Sequence, residues 1–428
     1  MIKQTALFAT TDAEGPQGAT STFIRNMKLP VHGWFRFPAG FSAQWVLSVV
    51  SDAQRAVPGL RLFDPFAGVG TTVLAGEEAG VGAIGLEAQP FVQRIAHAKL
   101  MWHVSPKTFE RAANEVLKHA RLLRGRVPEY PPLIRKCYPE ESLAALHRLK
   151  TAWQESGDDE PTSQLVWLAV ASILRACAPV GTAPWQYILP NKGAKAVAPF
   201  RAFTLQVRRM ADDMRQRQAA GVQPRGQVLL GDARQCEPVS DRSVDLVVTS
   251  PPYANNYDYA DATRLEMTFF GEVESWADLH NAARHGLVRS CSQHFSKGAA
   301  ELDDLLADLA QTPIQGPAEQ ACRALAKVRL THGGKKQYHL MVAAYFGDML
   351  HVWTSLRRVC KDGASVCFVI GDSAPYGVYV PVHEWLEELA LYVGFRECRF
   401  EKIRDRNVKW KNRKHRVPLC EGRLWVAA

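Results

Sequence analysis

The sequence predicts an α/β protein: a doubly wound, mostly parallel sheet of seven strands with an antiparallel last strand, carrying helical insertions. Three observations predict it. Apolar runs of strand length alternate with helix-length amphipathic stretches. Several of these runs end on an acid or a turn residue, as strands do at the ligand-binding edge of an open α/β sheet. The last two, "FRECRFEKI" and "EGRLWVAA", have no crossover helix between them, which suits an antiparallel pair.

Taken in order, residues 1–30 read as a loose arm without a clear period. "GLRLFDPFAGVGTTVLAGEEAG" reads as a strand, a glycine-containing turn and a helix. "VGAIGLEAQP" is a second strand, and the stretch from Phe91 to Trp102 is helical. "GQVLLGDARQ" and "SVDLVVTSPPY" are two more strands with polar ends. "QYHLMVAAYFGDMLHVWTSLRRVC" is an apolar helix, "ASVCFVIGDS" a buried strand and "VPVHEWLEELALYVG" a helix. About 140 residues separate the second strand from the third, far more than an ordinary crossover needs. The expected organisation is therefore a sheet domain from 31–107, 218–274 and 336–428. A helical insertion at 108–217 is the candidate target-recognition region, and a smaller helical one lies at 275–335.

The chain has 428 residues, 47% of them hydrophobic, and a net charge of +9. That is enough apolar material for a large core, and the basic surplus suits a polyanionic partner. No apolar run approaches the length of a membrane span, and the N-terminus lacks the basic-then-apolar order of a secretory signal. The nine cysteines form no C-x-x-C pair, which suits reduced thiols, so a cytoplasmic protein is expected. His280, His285 and His294 have no tight Cys/His ligand set around them, and no metal is expected. Eight lysines and arginines against one acid, Asp405, lie between Lys402 and Arg416. Lys409, Lys411, Arg413 and Lys414 are the candidate phosphate contacts there. Lys192 and Lys195, in "LPNKGAKAVAPFR", are further candidates.

In "FDPFAGVGTT", Gly68 and Gly70 allow a tight turn from strand to helix and close approach of a ligand to the backbone. The dinucleotide fingerprint fails, because Val73 stands where its third glycine belongs. Asp64 follows the strand directly. Glu87, at the end of the next strand, is placed to accept from ribose hydroxyls, and Asp232 ends a third strand where a carboxylate can accept from an adenine amine. The tetrad Ser250-Pro251-Pro252-Tyr253 is held rigid by two prolines that cannot continue the ladder. An exocyclic amine on a nucleobase is a poor nucleophile, because its lone pair is delocalised into the ring. Acceptors around the NH2 group, such as the Ser250 hydroxyl and the Pro251 carbonyl, help it to pyramidalise. Tyr253 offers a face for an extracted base.

With these residues in view, the chain resembles a class I (Rossmann-like) S-adenosyl-L-methionine-dependent methyltransferase of the amino DNA methyltransferase family. "DPFAGVGTT" resembles the family's cofactor loop, "TSPPY" its catalytic motif in the form typical of cytosine-N4 enzymes, and "FRFPAGFSAQWV" the segment preceding the cofactor loop. The resemblance covers 32–102, 227–270 and 337–428. It implies that S-adenosyl-L-methionine is held by Phe41, Ser42, Asp64, Phe66, Gly68, Gly70, Thr71, Thr72, Glu87 and Asp232. It implies catalysis at Ser250, Pro251, Pro252 and Tyr253 on a base flipped from double-stranded DNA, giving N4-methylcytosine in a restriction–modification setting. The alternatives are adenine-N6 chemistry, an RNA substrate, a small-molecule substrate, or a binding relative without turnover. The family pattern does not locate the recognition surface, because here the long insertion falls between the second and third strands.

Overall fold

The computed structural model describes residues 23–37, 40–157, 161–182, 188–255, 257–295, 300–406 and 417–428. Nine strands appear among them: β1 Arg61–Asp64, β2 Gly82–Glu87, β3 Val180–Thr182, β4 Ile188–Gly193, β5 Gly226–Leu230, β6 Val244–Thr249, β7 Cys360–Gly371, β8 Glu397–Asp405 and β9 Cys420–Ala427. Seven form one sheet in the order β5-β2-β1-β6-β7-β9-β8. The pairs from β5 to β7 are parallel, and β9 runs antiparallel to both its neighbours. The strand order reverses between β1 and β6. A crevice therefore opens beyond their carboxyl ends, at Asp64 and Thr249.

Strand β6 is nearly continuously buried because helices cover both of its faces. Leu62, Leu246 and Val248 face one core, and Phe63, Val244 and Val247 face the other. Helices Ala43–Ala56, Thr71–Glu78 and Pro90–Leu100 cover the first side, and Tyr338–Val359 and Val382–Tyr392 the second. Ser42 caps the first of these helices by accepting from the Trp45 N–H at 3.3 Å.

The 138-residue step from Glu87 to Gly226 joins strands that lie side by side in the sheet. Helices Pro106–Leu122, Glu140–Glu155, Thr162–Cys177 and Pro199–Ala219 fill it and share the first core. Trp167 meets Phe91 edge-on at 5.4 Å. The interval, read as helical from sequence, also holds a small antiparallel sheet of β3 and β4. Lys192 falls inside β4 and Lys195 just beyond it, both exposed. No helix among the described residues is long and apolar enough to cross a membrane. All nine cysteines are free thiols.

Arg217 joins this helical layer to the sheet. Fully buried, it donates to Glu77 Oε2 at 3.1 Å, to the Leu74 carbonyl at 2.8 Å and to Glu78. Glu77 also accepts from the N–H groups of Arg225 and Gly226 and from Trp102 Nε1. Removing one partner of such a pair strands a buried charge. Arg217→Ala should therefore lose about 3–5 kcal/mol of stability, measured by urea unfolding. A loss below about 1 kcal/mol would show that this link does not hold the layers together.

Candidate active site

The cofactor loop and the tetrad meet at one carboxylate. Asp64, buried at the end of β1, accepts from the Phe66 N–H at 3.0 Å and from Thr249 Oγ1 at 2.5 Å through the same oxygen. Burial pushes its carboxyl up to about 6, and hydrogen bonds from Thr249 and the Phe66 N–H pull against that shift. Thr72 donates to the Val248 carbonyl at 3.1 Å, a second tie from the loop's helix to β6. Gly68 and Gly70 both adopt left-handed φ, 53° and 85°, which a side chain would strain. The turn leaves the Gly68 N–H free to donate to Glu87 Oε2 at 3.0 Å, while Glu87 Oε1 accepts from the Gln89 N–H at 2.9 Å.

Beside this junction lies an open pocket with about 650 Å³ of empty space, open solvent at its mouth included. Phe66, Gly68, Glu87, Asp232, Ser250 and Pro252 line it, so both halves of the sequence-derived site converge there. Pro251 and Tyr253 stand beside it in the chain but are not part of the wall. Nor are Asp64, Gly70, Thr71 and Thr72, which shape the loop behind it. Phe41 and Ser42 are also absent from the wall. Phe41 packs near Trp45, Ser42 caps a helix, and Phe37 of the same segment supplies the aromatic wall instead.

Other wall residues carry no motif. Gln89 donates to Thr263 Oγ1 at 2.7 Å, and the segment 286–288 supplies a further part of the wall. That segment is held by arginines. Arg234 clasps Asp232, with Nη2–Oδ2 at 2.6 Å, and Arg289 pairs with buried Asp348 at 2.7 Å. Arg284 pairs with Asp258 at 2.6 Å, both almost fully buried, which ties the segment to the loop after the tetrad.

Ser250 donates its hydroxyl proton to the Val369 carbonyl at 3.2 Å, so its oxygen lone pairs remain available as acceptors. The Tyr253 ring is covered by the Arg406 guanidinium, 5.0 Å from its centroid, and burial pushes its phenol far above the usual range. The basic residues Lys409, Lys411, Arg413 and Lys414 lie outside the described residues.

No protein-family model matches the chain. It is similar to the Type II methyltransferase M.BsoBI of Geobacillus stearothermophilus, 23% identical over 438 residues that span 90% of this chain and 84% of that protein. It is equally similar, 23% over 414 residues, to the Type II methyltransferases M.AvaI of Nostoc sp. (strain PCC 7120) and of Anabaena variabilis, covering 87% of this chain and 81% of each. The chain is a homologue of Type II methyltransferases. These relatives agree with the resemblance carried by the cofactor loop and the tetrad. A likeness over 90% of the chain also reaches well into the 108–217 region, so the relatives share more than the sheet.

Burial raises the Glu87 carboxyl from 4.5 to about 7, with the two backbone N–H groups opposing the shift. Because the folded value lies above the unfolded one, the stability associated with protonated Glu87 is full below about pH 4.5. It is lost as pH rises through about 7. Urea unfolding of the ligand-free protein across that window should show Glu87→Gln losing less stability with rising pH than wild type. Parallel pH profiles would mean that Glu87 titrates normally in the fold.

Proposed function

We propose that this protein is a DNA methyltransferase that uses S-adenosyl-L-methionine to methylate the exocyclic N4 of cytosine in a base flipped from the duplex. The observation that carries the reading is the junction of two motifs at Asp64. One buried carboxylate holds both the glycine turn and the strand leading into Ser250-Pro251-Pro252-Tyr253.

The pocket suits the cofactor. Glu87 keeps acceptor capacity for ribose hydroxyls beyond its two backbone bonds, and Asp232 lines the same wall. Phe37 and Phe66 give apolar faces, and Gly68 has no side chain to fill the approach. When bound, the cofactor supplies an electrophilic methyl group. The protein's own residues then act on the base. Ser250 Oγ and the Pro251 carbonyl accept from the amine, localising its lone pair as it pyramidalises. The prolines keep these acceptors still, so the rate comes from positioning and a preorganised polar site. A base stacking on Tyr253 shares that ring with Arg406, whose planar guanidinium is itself a stacking surface.

DNA as the partner rests on the relatives' type and on the basic surplus. Lys192 in β4 and Lys195 just beyond it, both exposed, are proposed phosphate contacts, together with Lys409, Lys411, Arg413 and Lys414. Recognition of the target is assigned to the 108–217 region.

Ser250→Ala should lower turnover by about 10²-fold, the scale of losing one preorganised hydrogen-bonding group, with cofactor affinity by calorimetry nearly unchanged. Mass spectrometry of nucleosides from DNA treated with wild-type protein should show N4-methylcytosine. N6-methyladenine alone would overturn the assignment of the base, and full activity of Ser250→Ala would remove its hydroxyl from the mechanism.

A further inference from the structure

Beyond the pocket, the carboxyl end of β7 holds a second cluster of reactive side chains. Asp372 follows β7 directly, His383 lies in the first turn of helix Val382–Tyr392, and Cys420 opens β9. His383 Nδ1 stands 2.9 Å from Asp372 Oδ1, and Cys420 Sγ stands 3.0 Å from Asp372 Oδ2. One ligand atom from each residue lies within 4.8 Å of the other two. Tyr379 donates to Asp372 Oδ2 at 3.2 Å.

We propose that Asp372, His383 and Cys420 form a zinc-binding site. A thiolate, an imidazole nitrogen and a carboxylate oxygen are the three donor types that zinc takes, and three protein ligands leave one position for water. A tetrahedral zinc with bonds of about 2.0–2.3 Å separates its ligand atoms by roughly 3.3–3.8 Å. The two Asp372 oxygens lie 2.9 and 3.0 Å from their partners, and one atom of each residue lies within 4.8 Å of the others, so small side-chain rotations bring the three residues onto one ion. The charges also match, because one carboxylate and one thiolate neutralise a divalent cation.

The surroundings support a ligand rather than a solvated cluster. Asp372 is almost fully buried, while His383 and Cys420 are partly exposed, which leaves a path for entry. The His383 ring stacks on Phe400 at 4.0 Å, which fixes its plane. Its other nitrogen lies 3.9 Å from Glu384 Oε1, a charge contact rather than a hydrogen bond. The donors are 11 and 37 residues apart in sequence, so no short motif announces them.

The site's place in the fold gives it a task. The Asp372 carbonyl accepts from Arg406 Nη1 at 2.6 Å, and Arg406 covers Tyr253. Cys420 begins the strand that follows the basic run ending at Arg416. A zinc ion here ties both ends of that run to the end of β7, one contact away from the tetrad.

The test uses the full chain, purified from zinc-supplemented medium, with its metal content measured by mass spectrometry. Stoichiometric zinc is expected. After chelation, cobalt titration should give the near-ultraviolet charge-transfer band of a thiolate–cobalt bond. Cys420→Ser should abolish that band, and His383→Ala should weaken cobalt binding by at least about tenfold. Cys398→Ser, a partly exposed thiol outside the cluster, should keep it. Should the variants fail to fold, the chelated wild type still decides, because zinc should raise its melting temperature. A wild type with neither band nor thermal shift, or a band that survives Cys420→Ser, would overturn the site.

Discussion

The site depends on a buried carboxylate at the point where the sheet changes direction. Asp64 bonds to the Phe66 N–H on one strand's outgoing loop and to the Thr249 hydroxyl on the neighbouring strand. Desolvation opposes a charge there, and the directed donors offset only part of it. The glycine turn and the proline tetrad are thereby held at a fixed distance, and Thr72 repeats the tie through the Val248 carbonyl. Moving either loop alone would leave a buried polar group without its partner.

Another part of the pocket wall is built differently. Segment 286–288 has no motif and no regular ladder, and charge pairs carried by its neighbours hold it in place. Arg284 and Asp258 couple it to the loop after the tetrad, and Arg289 and Asp348 couple it to helix Tyr338–Val359. Both pairs include nearly fully buried groups, so each partner is needed to neutralise the other. This wall is therefore tied to the loop that follows the tetrad.

Lys192 in β4 and Lys195 just beyond it are exposed, and the helices of 106–219 pack on the first core. Arg217 fixes the helical layer to helix Thr71–Glu78, which begins at the glycine turn. The connection between β2 and β5 thus serves as a second body packed on the sheet, and it adds a surface without altering the strand order.

Much of the fold was legible in the sequence because its signals are local. Alternating apolar runs, a glycine turn after "LRLFD" and prolines after "VDLVVT" each fix backbone conformation within a few residues, and the parallel order follows from the crossovers. Glu87, Asp232, Gly68 and Ser250 could be placed together from the sequence because strand ends in such a sheet share one edge, and they line one pocket. The hairpin inside the long connection was missed, because three- and six-residue strands among helices carry too little period to read. Phe37 rather than Phe41 in the wall, Arg406 over Tyr253, and the convergence of Asp372, His383 and Cys420 depend on packing between distant segments. The sheet, the turn and the rigid tetrad are each set by the intrinsic conformational limits of their own residues, so they can be read locally. Which side chains face the pocket and which remain behind it rests on contacts between residues tens to hundreds of positions apart, and that choice is made only as the chain packs.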